Sequence, residues 1–385
     1  MRILQLHTRY RQAGGEDRVV EAEAELLRAA GHEVLLHEEA NAEGAGAAIA
    51  LGAAMWNPAA ARRAAAVAEA FAPDVVHVHN TWFSMSPAVL PALRARGLPV
   101  VMTLHNYRLT CAAATLFRDG APCEDCVGSH PWHGVRHRCY RDSAPSSAVA
   151  AGTIAFHARR GTWQHDVDRY LALSDFGRDR FVAAGLPADR LDVKPNSVAD
   201  PGPRPRPPSS SDTVVFVGRL SPEKGLDVLL DAWRRAAPRL RLVVVGTGPM
   251  DDDLRSRRLD GVEFRGRLAG EAVEELLRSS RALVFPSTWY EGHPLVPLEA
   301  AAAGLPVLLS DLGAMTSLFA PGDEELRFPP GDAQALAERL RWLEDADVVD
   351  RAGRFVRARY EQRYTHEQAV ATLEATYRQV RAPVG

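Results

Sequence analysis

At 385 residues, with 46% hydrophobic and 25% charged residues, the chain is long enough for about two domains, each with its own core. A formal net charge of −3 gives no case for nucleic acid, and Met1-Arg-Ile-Leu-Gln-Leu-His7 lacks the apolar core of a signal peptide. No run reaches the ~20 apolar residues that span a bilayer, Ala45 to Met55 being short and glycine-interrupted, so a cytoplasmic protein is expected, at most touching the inner face of the membrane.

Lysine is scarce. Lys194 and Lys224 stand alone among 46 basic residues, the other 44 being arginine, a bias that suits a GC-rich, bacterial genome. Where arginine is the default, lysine marks a position suited to a compact point charge rather than a planar fork; the alternative, for Lys194 above all, is chance survival.

Ile3 to Leu6 reads as a buried strand and Asp17 to Ala30 as a helix closed by Gly31. The loop between them ends in Gly14 and Gly15, a pair that lets backbone approach a ligand closely or simply opens the helix. Val34 to Glu38, Asp74 to His79 and Pro99 to His105 read as further strands, with helical sequence up to about Phe71 and from Pro87 to Arg96. This alternation predicts an α/β fold with a parallel sheet covered on both faces. His105 stands where its strand ends, so its imidazole either faces a cleft or packs as a capping residue.

All four cysteines follow within 29 residues, as Cys111-x11-Cys123-x2-Cys126-x12-Cys139. Four thiolates make a tetrahedral zinc set that could fold an insertion of about residues 108–142, too small for a core of its own; disulfides or free thiols are the rivals. The segment is also basic and aromatic (Trp132, Arg136, Arg138, Tyr140, Arg141, then Arg159 and Arg160), which suits an anionic lipid head group or an ordinary solvated surface.

Pro201 to Ser211, rich in proline and then serine, reads as a linker (201–212) between a domain of residues 1–200 and one of residues 213–365. Thr213 to Val217 is the next strand, and Gly218-Arg-Leu-Ser-Pro-Glu-Lys-Gly225 leads to a helix from Leu226 to Ala236. Arg219 and Lys224, five apart at this junction, can straddle a diphosphate. Leu242 to Val245 ends in Gly246-Thr-Gly-Pro249, another turn for close approach, and Val262 to Leu268 follows.

The strand Ala282 to Phe285 then runs into Pro286-Ser-Thr-Trp-Tyr-Glu-Gly-His-Pro-Leu-Val-Pro-Leu-Glu-Ala300, with a helix expected over Leu298 to Ala303 and a strand over Val307 to Leu309. Glu291 and Glu299, eight residues apart, stand at the carboxyl end of a strand, where parallel sheets bind ligands, beside the amides and positive dipole of a helix start. One acid could bond a sugar, the other a ribose, and the helix start a diphosphate. Gly331-Asp332 opens a helix, and a long terminal helix is expected past Glu361, over 366–385.

The stretch P-S-x-W-Y-E-G-x-P-L-x-x-L-E-A with its E-x7-E spacing, G-R-L-x-x-E-K-G at 218–225, and Thr103-Leu-His-Asn106 together resemble the retaining glycosyltransferases of family four, over about Met1 to Arg381. The resemblance implies the GT-B fold, two Rossmann-like doubly wound α/β domains facing across a cleft, the first holding the acceptor and the second the nucleotide sugar. By the same resemblance His105 contacts the transferred sugar, Gly14 and Gly15 lie beside the donor phosphates, and Arg219 and Lys224 take the diphosphate. Arg267 and Leu268 meet the base, Glu291 bonds sugar hydroxyls and Glu299 the ribose. Tyr170 to Ser174 resembles the last strand of the first domain, and Val193-Lys-Pro-Asn-Ser197 resembles P-N-G-V, with Asn196 near the donor. The last helix of relatives returns to the first domain, and relatives carry a similar four-cysteine insertion.

What this implies is a metal-independent hexosyltransferase in polysaccharide biosynthesis, using a UDP- or GDP-sugar and a glycan, lipid-linked or small-molecule acceptor. Amides near Leu295 and Val296 join Arg219 and Lys224 in stabilising the leaving phosphate, and no covalent nucleophile stands out. Where many relatives read E-G-F-G-L, this chain has Glu291-Gly-His-Pro-Leu295; Pro294 removes one backbone donor and His293 offers a side chain instead. A glycoside hydrolase has no use for Arg219 and Lys224. A sugar-nucleotide epimerase of the same fold and a non-enzymatic nucleotide-sugar-binding protein stay open.

Overall fold

The computed structural model describes residues 1–10, 14–41, 51–236, 238–257 and 259–381. Residues 11–13 of the first loop, 45–50 of the Ala45–Met55 run and 382–385 of the expected terminal segment lie outside that description.

The chain forms two compact units. The first holds a six-stranded sheet of β1 (Arg2–Arg9), β2 (Glu33–Ala40), β3 (Val75–Asn80), β4 (Val100–Leu104), β5 (Arg169–Ala172) and β6 (Leu191–Val193), in spatial order β2-β1-β3-β4-β5-β6. Every pairing is parallel, as in Ile3 against Val75 and Val76 against Val100. All six residues of β3 are buried, the mark of a strand covered on both faces. Ile3, Val75, Val101 and Leu171 pack with Leu373 and Tyr377 of the last helix, His366–Arg381, whose residues from Glu367 belong to this unit.

The second unit repeats the plan with β7 (Thr213–Val217), β8 (Arg241–Val245), β9 (Val262–Gly266), β10 (Ala282–Phe285), β11 (Val307–Ser310) and β12 (Arg327–Phe328), ordered β9-β8-β7-β10-β11-β12 and again parallel. In each sheet the strand order reverses once, between β1 and β3 in the first and between β7 and β10 in the second. Loops leaving the carboxyl ends of strands diverge at such a reversal and open a crevice for ligands.

Two expectations need correction. The proline-rich stretch from Pro201 is no free linker, and the units divide earlier, at Pro195/Asn196. Proline removes N–H donors but leaves carbonyls open, and arginines of the second unit take them. Arg278 donates to Pro201 O (2.6 Å) and Pro203 O (3.0 Å), Arg281 to Ser209 O (2.7 Å), and Ser209 Oγ donates to Asp350 (2.8 Å). The helix beside the glutamates spans Leu295–Ala302, starting three residues before the expected Leu298, because extended Pro294 already caps it. Where a terminal helix is expected over 366–385, the described residues form the helix His366–Arg381; before it, Tyr364 follows the helix Ala346–Arg363, is buried and donates its hydroxyl to Leu318 O.

Candidate functional site

In the second unit the loops after β7 and β10 leave the sheet at its point of reversal and are laced together. Thr288 N donates to Glu223 O at 2.9 Å. Gly225 has φ +66°, and a Cβ there would fall 2.0 Å from Pro286 O, so only glycine allows this approach. Gly246 is held likewise at φ +139°, where a Cβ would stand 1.8 Å from Gly218 O.

This lacing brings Lys224 and Glu291 together. Lys224 Nζ donates to Glu291 Oε1 at 2.7 Å, and Ser287 Oγ donates to the same oxygen at 2.5 Å. The ammonium also lies 5.1 Å from the Trp289 ring centroid, a cation–π distance. The two groups assigned separately to diphosphate and sugar are therefore one ion pair, with side chains 19% and 7% exposed. Arg219, on the same loop, is exposed.

Asn196 Nδ2 donates to His293 O at 2.8 Å, joining two expected donor-site residues that are 97 apart in sequence. The helix Leu295–Ala302 has no side-chain cap and no acid in its first turn. Since Pro294 and Pro297 carry no N–H, Leu295 and Val296 are the amide donors of that turn. Glu299 stands half-buried on this helix; Arg267 is exposed and Leu268 half-buried just past β9.

In the first unit Gly14 caps the helix Gly15–Ala29, its N–H donating to Asp17 Oδ2 at 2.9 Å. His105, half-buried beyond β4, lines a pocket together with His79, Trp82, Met102, Asn106 and Arg108. Burial, with the Lys194 charge adding to it, pushes its imidazole down to about 3, so the ring is neutral. Asn106 Nδ2 donates to Glu16 Oε2 at 3.2 Å, and Tyr10 Oη donates to the same oxygen at 3.0 Å; burial drives that carboxyl up to about 8.

Beneath His105 lies a buried polar cluster that the sequence reading did not assemble. Lys194 Nζ donates to Glu23 Oε2 at 2.5 Å, with side chains 3% and 5% exposed. Gln5 Nε2 donates to Glu23 Oε1 at 3.0 Å, and the same oxygen lies 3.2 Å from His77 Nδ1 and 3.4 Å from His79 Nε2. Burial alone would raise the Glu23 carboxyl, but the Lys194 ammonium, with His77 and His79, holds it well below the usual range. Glu23, His77 and His79 place ligand atoms within 4.8 Å of one another, as a metal would require, but the lysine ammonium already supplies the positive charge. Two signals were present in the chain: the scarcity of lysine, and the polar pair in Val75-Val-His-Val-His79, two residues apart and so on one face of a buried strand.

Cys111, Cys123, Cys126 and Cys139 form no disulfide and line one pocket with Asp125 and His133. Burial, reinforced by the Cys111 thiol, pushes Cys126 up to about 11. Among the described residues no three cysteine sulfurs lie within 4.8 Å of one another. Part of the basic, aromatic surface expected here is used internally: Arg108 lies over both Trp82 and Tyr140, and Trp82 Nε1 donates to Tyr140 Oη at 3.2 Å. Trp132 is exposed, and no described helix is long and apolar enough to cross a membrane.

Residues 13–200 match the family model described as Glycosyltransferase Family 4, and residues 211–345 match the one described as Glycosyl transferases group 1. The chain is 27% identical over 285 residues to phosphatidyl-myo-inositol mannosyltransferase of Mycobacterium leprae, a match covering 72% of this chain and 65% of that protein. It is 35% identical over 158 residues to D-rhamnosyltransferase WbpZ of Pseudomonas aeruginosa, covering 39% of this chain and 41% of the relative. These matches thus span 65% and 41% of the two relatives' own lengths. The crystal structure of HepE from Anabaena in complex with UDP superposes with a TM-score of 0.70 at 18% identity, over 98% of this chain and 100% of that one. The chain therefore has the GT-B fold of the glycosyltransferases, with a Glycosyltransferase Family 4 match in its first unit and a Glycosyl transferases group 1 match in its second.

Proposed function

We propose that the protein is a retaining glycosyltransferase that moves a sugar from a nucleoside-diphosphate sugar to an acceptor hydroxyl. The Lys224–Glu291 pair at the reversal point of the second sheet carries this reading. In the reaction the bond from the anomeric carbon to the diphosphate breaks, and a bond to the acceptor oxygen forms on the same face of the sugar. The acceptor's proton leaves with the diphosphate. Arg219, Lys224 and the Leu295 and Val296 amides face the charge that grows on phosphate, so protein groups do the work a divalent cation does in other transferases. Glu291 bonds the sugar hydroxyls and Glu299 the ribose, with Asn196 holding the His293 backbone in place. The acceptor is held by the first unit, where His105 lines a pocket. UDP is the first nucleotide to try, given the UDP bound to HepE, and GDP the second. The relatives' names favour a glycan or lipid-linked acceptor, and exposed Trp132 offers a contact for the latter at a membrane surface.

Titration of the full chain with UDP and GDP by calorimetry should show binding of one of them. Product analysis with the matching UDP- or GDP-sugars should then show α-linked transfer that survives EDTA. Binding of neither nucleotide, or release of free sugar alone, overturns the assignment; activity lost in EDTA and restored by Mg²⁺ overturns metal independence.

We also propose that the four cysteines bind one structural zinc. Their confinement to one small pocket supports this, and the donor set fits a closed tetrahedral site once the sulfurs draw in toward the ion. Elemental analysis of protein purified without chelators should give close to one zinc per chain; two disulfides, or four free thiols without metal, would exclude it.

A further inference from the structure

The described residues expose five large hydrophobic side chains, and two of them, Trp56 and Phe156, touch each other. Their ring centroids are 5.9 Å apart, edge to face. Trp56 also lies flat against His157, at 6.0 Å and 18°. His157 is fully buried with both ring nitrogens taken, Nδ1 2.9 Å from Thr162 Oγ1 and Nε2 2.8 Å from Met55 O. The two aromatics thus sit on a packed support with their outer faces in water, 38% and 39% exposed. Apolar rings that are fixed, adjacent and wet form a patch rather than scattered exposure, and such a patch marks a contact surface.

Charge identifies what it contacts. Residues 129–165 hold five arginines, Arg136, Arg138, Arg141, Arg159 and Arg160, against one acid, Asp142, in a chain of net charge −3. All five are exposed, and among the described residues none has a carboxylate within 4 Å. Arg159 and Arg160 end the helix Ala144–Arg160 that carries Phe156, and the Arg160 guanidinium lies 4.9 Å from the Trp56 ring centroid. Cation and ring therefore stand at one depth. A bilayer surface asks for that combination, since lipid phosphates lie directly above the acyl boundary where amphipathic rings settle.

We propose that Trp56, Phe156, Arg159 and Arg160 dock the first unit on an anionic phospholipid bilayer. The two rings enter the headgroup boundary and the two guanidiniums meet lipid phosphates. The cysteine-bearing insertion packs on the same helix and adds Trp132, 45% exposed, with Arg136 and Arg138. About one turn before Phe156, Thr153 and Ile154 line the His105 pocket, so docking brings that pocket close to the lipid surface. Resting on the glycosyltransferase reading, this selects the lipid-linked acceptor among those left open above.

The test of docking needs no substrate. The full chain is sedimented with vesicles of phosphatidylcholine alone or mixed with phosphatidylglycerol, at low and high NaCl. Binding should require phosphatidylglycerol and weaken as salt rises. Arg159→Gln with Arg160→Gln should weaken it roughly tenfold or more. Trp56→Ser with Phe156→Ser should also weaken it, in protein whose urea transition shows it folded. Arg234→Gln with Arg235→Gln removes the same charge from an exposed helix end of the second unit and should leave binding unchanged. No binding to phosphatidylglycerol vesicles, or equal binding to both kinds, overturns the proposal. So does binding that survives both first-unit double variants, or that falls as far in the Arg234 and Arg235 variant. Specific vesicle binding by a chain that takes neither UDP nor GDP upholds docking and removes the transferase reading. Sugar transfer by a chain that ignores vesicles does the reverse, so the two failures are distinct.

Discussion

The chain's two lysines each sit against a glutamate, one pair in each unit, and the pairs differ in what surrounds them. Lys194 and Glu23 are sealed, with side chains 3% and 5% exposed, and Gln5 and two histidines also face the carboxylate. Lys224 and Glu291 share one short bond but lie at the mouths of strands, the lysine 19% exposed and resting on Trp289. A sealed pair cannot exchange partners without stranding a charge in the interior, so it can only fix its neighbours. A half-open pair can exchange carboxylate for phosphate, because water and ligand reach it. The sealed arrangement suits positioning; the half-open one suits binding.

The largest way to break the comparison is to unbalance the sealed pair. Lys194→Met leaves an uncompensated buried carboxylate and should cost ~3–5 kcal/mol of stability, read as a fall in urea midpoint. Glu23→Gln added to Lys194→Met should recover most of that loss, since no charge is then stranded. Lys224→Ala should leave the midpoint closer to that of the parent but weaken nucleotide binding by ~1.5–3 kcal/mol, roughly ten- to a hundredfold in Kd by calorimetry.

Acidification sharpens the contrast. Glu23 lies well below its ordinary 4.5, so its stabilisation is present above about that pH and lost as pH falls further. His79 and His105, held below 6.5, are neutral when folded, and the unfolded chain gains protons first as pH drops through that value. Glu16, raised to about 8, has the opposite sign, contributing fully below 4.5 and losing its share as pH rises through 8. Between pH 7 and 5 Glu23 stays ionised in both states, so the two histidines stand against Glu16, and the first unit should lose amide protection before the second, followed by hydrogen exchange of β3 and β10 peptides. The smallest effect belongs to an ordinary surface pair: Arg265→Ala, removing the exposed contact to Glu263, should shift stability by no more than ~0.5 kcal/mol.

Much of this was legible in the chain. Runs such as Val75 to Val78 and Val214 to Val217 are too apolar to sit anywhere but inside a parallel sheet, and strand–helix alternation supplies its covering layers. Glycines at 225 and 246 marked the turns where backbones meet, and local spacing marked Glu291 and Lys224 as chemically useful. The start of the helix at Leu295 was less legible, because an extended proline rather than a side-chain cap sets it.

Partnership was beyond the sequence. Lys224 and Glu291 are 67 residues apart, Lys194 and Glu23 are 171 apart, and His79 and His105 are 26 apart. Composition could single out two lysines, and periodicity could put two histidines on one face of a strand. Which carboxylate each lysine meets, which pair is sealed and which stays open depend on strand order and loop lacing. Those are properties of the folded sheets, because an ion pair is fixed by distance in space and by the water around it, and neither is written in sequence separation.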